Sequence, residues 1–313
     1  MILRFSKDLA TLDVYASGIE LSQYLGRDRD AQGRRAQHPG SARIHIATFH
    51  HPVLVTDNHR IAALGDTDTT LRDTLFALYG ASEKTIEYDG LSLSWVQGAH
   101  PTVWGPSIDT LLFCRALGKL DFSGAQAAAE IGSGSGFLSA YLLRNTPALH
   151  RATLVDFNPE AIASSREWIG DPRARFHAGD GIGFLESGQY DLVLCNPPYI
   201  PRPGSIDNNP YEGVGLLVHL IEHAREYLTP HGVLVTNISS LCRRIADSAI
   251  ANAGVSARAI DTLEVPLKVY NVLNNEEWMD YLVKEKGLHA TRHDGYDYWH
   301  TIAITEIRPG REL

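Results

Sequence analysis

Ala127-Ala-Ala-Glu130-Ile131-Gly132-Ser133-Gly134-Ser135-Gly136 is the stretch whose reading decides the fold of this 313-residue chain. Its first five residues read as a strand, its alternate glycines as a turn, and the apolar run continuing to Leu143 as a helix. A strand that passes through glycine into a helix opens a βαβ unit. Glycine at such a turn allows a tight bend and lets the backbone approach a ligand with no Cβ in the way. Alone, the Gly-x-Gly-x-Gly run reads equally well as a plain loop.

The residues that follow repeat the alternation. Ala152 to Asp156 reads as a second strand, and Pro159 opens a helix at its favoured first-turn position. Ala174 to His177, Asp191 to Cys195 and Gly232 to Thr236 read as further strands, the last after a helix over Leu220 to Leu228. Short apolar strands spaced by helices predict an α/β, Rossmann-like fold with a mostly parallel sheet covered on both faces. Ala257 to Leu267 reads as extended, residues 275–286 as a helix, and Tyr298 to Ile307 as a final strand. That pattern suits a seven-stranded sheet with an antiparallel last strand, with an insertion at 266–296. Residues 101–313 then form one domain and 1–100 a smaller mixed α+β domain for substrate recognition. In the latter, Ile44 to Phe49 and Val53 to Val55 read as strands and Thr70 to Leu78 as a helix. Gly33 to Gly40 reads as a loop, and Thr85 to Val96 as a hairpin turning at Asp89-Gly90.

Acidic residues sharpen the reading of the glycine loop. Asp156 ends the second strand about 20 residues past the last glycine, where an acid takes both ribose hydroxyls of a nucleoside cofactor. Asp180-Gly181 ends the third strand, placed to reach an adenine. Glu130 stands directly before the loop, where a carboxylate repels a pyrophosphate and suits a cationic amino-acid tail. The glycine spacing also departs from the dinucleotide Gly-x-Gly-x-x-Gly. S-adenosyl-L-methionine, a nucleoside bearing a sulfonium and an ammonium, is therefore the expected cofactor.

Asn196-Pro197-Pro198-Tyr199 closes the fourth strand, and ligands of such sheets bind at the carboxyl ends of strands. Two prolines fix φ and remove two donors, leaving a stiff turn with outward carbonyls. Asn196 adds a side-chain oxygen. A planar NH2 or amide nitrogen can donate one hydrogen to Asn196 and the other to the Pro197 carbonyl, which aims it at a methyl donor. Tyr199 offers a flat face for a conjugated group. Orientation of this kind carries much of a methyl transfer, so no general base is expected.

These motifs resemble the HemK/PrmC-type branch of class I S-adenosylmethionine-dependent methyltransferases, the protein-glutamine methyltransferases that modify the Gly-Gly-Gln motif of release factors. Tyr211-Glu-Gly-Val-Gly-Leu-Leu217 and Leu228-Thr-Pro-His-Gly232 are also similar, as is the upstream Val103-Trp-Gly-Pro-Ser-Ile-Asp-Thr110, which that branch packs over the methionine end. The resemblance implies cofactor contacts from Glu130, Gly132, Ser133, Gly134, Gly136, Asp156, Phe157, Asp180, Gly181 and Asn196, with Pro106 and Thr110 from the upstream segment. It implies that Asn196, Pro197, Pro198 and Tyr199 hold the acceptor nitrogen. Pro201 to Pro210, the N-terminal region and residues 266–296 depart from the branch.

The acceptor expected first is a protein glutamine side chain. An exocyclic amine of adenine or guanine in RNA or DNA, or a small metabolite, is the alternative, and a cofactor-binding scaffold without turnover is the non-enzymatic one. A net charge of −9 weighs against a nucleic-acid partner, because phosphate binding draws on Lys and Arg; Arg27, Arg29, Arg34 and Arg35 are the one basic concentration. No apolar run approaches the ~18 residues of a membrane span, so no membrane partner is expected. Three cysteines without a Cys-x-x-Cys spacing suggest neither disulfides nor zinc, and the cytoplasm is the expected compartment. His45, His50 and His51 lack a companion acid or cysteine at ligand spacing, so no metal is expected. His100 reads as a loop histidine, and Tyr296, Tyr298 and Trp299 as packing at a sheet edge.

Overall fold

Apolar alternation in the first residues builds a sheet that the sequence only half announces. In a computed structural model, which describes residues 1–17, 43–50, 52, 83–96, 98–204, 213–285, 287–292 and 296–310, the chain divides into two compact units. One is Met1–Pro101 with Arg292–Asp297; the other is Thr102–Thr291 with Tyr298–Leu313.

The first unit holds β1 (Ile2–Phe5), β2 (Leu12–Ser17), β3 (Arg43–Phe49), β4 (Glu83–Tyr88) and β5 (Leu91–Val96) in the order β3-β2-β1-β4-β5. Only β1 and β4 run parallel among these neighbours. Leu3, Phe5, Leu12, Val14, Ile86, Tyr88, Leu93 and Trp95 alternate along their strands and are buried, the period-2 pattern of a sheet with one apolar face. Asp89 (φ 45°) and Gly90 (φ 77°) make the hairpin turn expected from Asp-Gly. β1 and β2 were not legible, because four- and six-residue strands beside a weak turn carry little periodic signal. The readings of Gly33–Gly40, Val53–Val55 and Thr70–Leu78 and the arginines from Arg27 to Arg35 lie outside the described residues.

In the second unit, α1 (Ile108–Leu117), β6 (Ala127–Ile131), α2 (Phe137–Asn145), β7 (Arg151–Asp156), α3 (Pro159–Trp168) and β8 (Ala174–Ala178) lead into α4 (Gly181–Leu185) and β9 (Tyr190–Cys195). Next come α5 (Gly215–Glu222), α6 (Ala224–Tyr227), β10 (Leu228–Ser239), a 3₁₀ turn (Ser240–Cys242), α7 (Arg243–Ala253) and β11 (Ser256–Pro266). The unit ends with α8 (Tyr270–Leu273), α9 (Glu276–Lys284) and β12 (Trp299–Arg308). The strand order is β11-β12-β10-β9-β6-β7-β8. Five strands run parallel, and β12 is antiparallel to both β10 and β11.

Helix starts follow their sequence signals. Ser107 and Thr110 form a reciprocal capping box at α1, and Asn158 caps α3 with Pro159 in its first turn. The helix expected over Leu220 to Leu228 is instead two helices broken at His223, and β10 begins at Leu228. The inserted segment is not a loose excursion. Leu241, Leu267, Val272, Trp278, Leu282 and Leu288 close a small core of their own against which Tyr298 packs, while Trp299 is buried.

Candidate active site

Strand register assembles the site. The strand order reverses direction between β6 and β9, the switch point where a parallel sheet opens a crevice at its carboxyl ends. Ile131 pairs with Cys195 on one side and Val155 on the other, and Cys195 pairs with Thr236. Gly132, Asp156, Asn196 and Asn237 therefore lie at the same level across four adjacent strands, Asn237 still within β10 and the others at or just past the ends of theirs. The sequence located three of these and missed Asn237, since nothing in Val233-Leu-Val-Thr-Asn237 marks a functional side chain before β10 is placed beside β9.

The glycine loop is held from below. Gly132 and Ser133 donate to the Val155 carbonyl at 2.9 and 3.1 Å. Gly132 has φ 70°, a left-handed conformation, and a Cβ built there would meet nothing within 4 Å, so its backbone faces open space. Gly136 (φ 74°) is different. Its Cβ would fall 2.7 to 2.9 Å from Leu154, Ser165 and Ile169, so this glycine lets α2 approach the sheet rather than a ligand. Gly181 likewise leaves room for Ile131, and Gly134 for the Trp104 carbonyl.

Glu130 is buried, and its Oε2 accepts from the Ser139 amide at 2.9 Å. Ser139 is in the first turn of α2, whose glycine N-cap has no side-chain acceptor to offer, so Glu130 caps the helix from the strand beneath. Burial pushes its carboxyl up to about 8. Near neutral pH burial keeps Glu130 largely protonated, so it does not offer a cationic tail the negative charge that its place before the loop suggests. Asp156 accepts from Gly134 N–H and Asn158 N–H, both at 2.8 Å, one on each oxygen. Each carboxylate oxygen keeps a further lone pair for a hydroxyl donor. Asp180 caps α4 by accepting from Gly183 N–H at 2.8 Å.

The upstream segment lies against the loop, with the Trp104 carbonyl accepting from Ser135 N–H at 3.1 Å. Pro106 is half-buried beside it, and the Thr110 hydroxyl belongs to the α1 capping box. Trp104 and Phe157 are 88% and 63% exposed. Ser133 Oγ is buried with no hydrogen-bond partner. An open space over a glycine backbone, an acid with spare acceptor capacity, an orphaned hydroxyl and an exposed ring fit an adenosine-type cofactor.

At the other side of the crevice Asn196 is half-buried, Pro197 buried and Pro198 exposed. Asn237 Nδ2 donates to Asn196 Oδ1 at 3.2 Å. The Tyr199 hydroxyl donates to Asp109 Oδ2 at 2.8 Å, and its ring lies 5.7 Å from the His300 ring. His300 is buried, shares a 3.0 Å hydrogen bond with Ser239 Oγ, and is pushed down to about 3, so it stays neutral at physiological pH. Beyond Tyr199, Trp278 Nε1 donates to the Pro201 carbonyl at 2.8 Å and Arg202 lies over the Trp278 ring. The inserted α9 thus grips the chain directly after the proline turn. Asp109, His300 and Trp278 were not singled out from the sequence for this site; Asp109 alone stood inside a quoted motif. Among the described residues no cluster of three or more His, Cys, Asp or Glu could hold a metal ion, and His45 is occupied by Thr48 and Asp13.

Topology, loop and proline turn together define a class I S-adenosylmethionine-dependent methyltransferase domain, with S-adenosylmethionine as its cofactor. Residues 108–259 match the family model described as the Methyltransferase small domain. A relative from Pseudomonas paraeruginosa, named ribosomal RNA large subunit methyltransferase G, is 46% identical over 81 residues, 24% of this chain and 21% of that protein. The protein of the same name from Stutzerimonas stutzeri is 43% identical over 100 residues, 30% of this chain and 26% of that one. The chain thus spans about a fifth to a quarter of the length of these curated relatives. Among solved structures, the ribosomal protein L11 methylase from Lactobacillus delbrueckii subsp. bulgaricus is similar at 15% identity and a TM-score of 0.42, over 77% of this chain and 91% of that one. A likeness of that size carries no weight for function. No described helix is long and apolar enough to cross a membrane.

Proposed function

We propose that this chain is an S-adenosylmethionine-dependent N-methyltransferase whose acceptor is the exocyclic amine of a nucleobase in RNA. The observation that carries the reading is the set of relatives named for ribosomal RNA, aligned to a chain that presents Asn196-Pro-Pro-Tyr199 at the switch point. A guanine or adenine amino group and a glutamine amide share the same planar NH2, so the proline turn alone accepts either. The names of the relatives favour the nucleobase over the protein glutamine expected from the motif resemblance. The N-terminal unit is then the part available to recognise the RNA around the target.

The cofactor supplies a methyl group on a positive sulfur, already a good leaving group. The chain's task is orientation. Asn196 Oδ1 and the Pro197 carbonyl each accept one hydrogen of the amine, which turns its lone pair toward the methyl carbon. Tyr199, its hydroxyl tied to Asp109, gives the base a face to stack on. With the cofactor bound, an amine held by Asn196 and Pro197 would take the methyl group as the C–S bond broke, and its proton would leave to solvent afterwards.

The test is transfer of labelled methyl to three substrates offered separately: ribosomal RNA, intact ribosomal subunits, and the protein fraction of a cell extract. Nuclease-sensitive label that digests to an N-methylated guanosine or adenosine supports the proposal. Label in glutamine, in a ribose or on a base carbon overturns it. Asn196→Ala should remove the signal while cofactor affinity stays within a few-fold.

A further inference from the structure

Thr236 and Cys195 are partners across β10 and β9, so Asn237, within β10, stands beside Asn196, the first residue after β9. Asn237 is completely buried. Its Nδ2 donates to Asn196 Oδ1, and its own Oδ1 is buried with no partner. A buried amide with an unfilled acceptor carries a desolvation cost that an apolar residue does not. Val233 and Val235, which precede it on the same face of β10, are the kind of residue that would fill this position without that cost. Packing therefore does not account for the amide; its side-chain hydrogen bond does, and that bond ends on Asn196.

We infer that Asn237 is a positioning residue for methyl transfer, acting through Asn196. This rests on the reading of Asn196 as the group that receives the acceptor amine. The Asn237 N–H occupies one lone pair of Asn196 Oδ1 and fixes the plane of that carboxamide, so the remaining lone pair has one direction in which to accept. Without the donor, the Asn196 amide is free to rotate about χ2, a broad two-fold torsion, and to present its NH2 where its oxygen is needed. An incoming amine then meets a donor and is turned away from the methyl group.

Two substitutions separate this role from packing. Asn237→Leu keeps the branching and the number of side-chain heavy atoms, at some cost in bulk, and removes both polar atoms; Asn237→Asp keeps the shape and sets oxygen against oxygen. Each is measured for kcat and acceptor KM, for cofactor Kd by calorimetry, and for thermal melting. The expected result is a fall in kcat of about tenfold or more, with KM and cofactor Kd within about threefold of wild type. Combining Asn237→Leu with Asn196→Ala should lower kcat no further than Asn196→Ala alone, because the second residue has nothing left to aim. A folded Asn237→Leu or Asn237→Asp with kcat within threefold of wild type overturns the inference, as does a fully multiplicative loss in the double variant. If Asn196→Ala itself turns over normally, the reading of Asn196 falls and this inference with it, whereas an inactive Asn196→Ala beside an active Asn237→Leu sinks the inference alone. Should Asn237→Leu not fold, Asn237→Asp decides on the same readouts.

Discussion

Replacing Glu130 with glutamine should change the sign of its effect on stability across the neutral pH range. The carboxyl is buried beneath the glycine loop, accepts from Ser139 N–H, and is pushed from an ordinary 4.5 to about 8 by desolvation. In the unfolded chain it ionises above 4.5; in the folded protein it holds its proton to about 8. Its contribution is therefore complete below 4.5 and is lost as pH rises to 8. At ~1.4 kcal/mol per pH unit, the loss across that window is at most about 5 kcal/mol. Glutamine keeps the acceptor oxygen and cannot ionise, so that slope vanishes. It also introduces a buried NH2 without a designed partner, a cost of about 1–3 kcal/mol at every pH. The variant should thus be the less stable protein near pH 5 and the equal or more stable one above pH 8. Urea unfolding of both proteins without cofactor, at intervals across this range, reads the difference directly. Taking the difference cancels His300, which is held neutral down to about 3 and so costs stability in the opposite direction, as pH falls below 6.5. Stability curves that stay parallel from acid to alkaline pH would refute the placement of a protonated Glu130 in the folded protein.

Asp156→Ala removes the acceptor for Gly134 N–H and the proposed ribose contact together, so cofactor Kd by calorimetry should rise by about tenfold or more, as for a hydrogen bond to a charged group worth ~1.5–3 kcal/mol; wild-type affinity would remove Asp156 from the cofactor site. Gly136→Ala forces a Cβ into a left-handed turn and against Leu154, Ser165 and Ile169, and should cost about 2–4 kcal/mol in chemical unfolding. Tyr199→Phe loses the bond to Asp109 and should cost about 0.5–1.5 kcal/mol of stability. Tyr199→Ala should instead raise acceptor KM by the ~1–3 kcal/mol of a base stacked on an aromatic ring. Equal KM values for the two Tyr199 variants would argue against stacking. Trp278→Phe frees the Pro201 carbonyl, and should raise acceptor KM more than it changes cofactor Kd; the reverse pattern would mean that α9 serves the cofactor side.

The larger domain was legible because its information is local. A parallel strand buried on both faces is a short apolar run, and β6, β7 and β9 each appear in the sequence within one residue of their observed bounds, as does β8, an edge strand of which only Ala174 is buried. Glycine in a left-handed turn, Pro159 in the first turn of a helix and an Asp-Gly hairpin all announce themselves by residue type, since few other residues favour those conformations. β1 and β2 pair with each other nearby, but their other partners, β4 and β3, lie far along the chain, and neither strand is long enough to declare a period alone.

The sequence by itself determined that a glycine loop follows one strand and a proline turn another, and with them the methyltransferase class of the larger unit. Tertiary structure decided what those residues touch. Glu130 looked like a charge facing a cofactor, and burial against α2 made it a helix cap that keeps its proton. Asn237 looked like any residue in a strand until register set it against Asn196. Trp278, on a stretch with no motif at all, closes on Pro201 from 77 residues away. Residue type fixes what a group can do chemically, but burial and hydrogen-bond partners depend on strands and helices brought together from distant parts of the chain, and no local pattern encodes them.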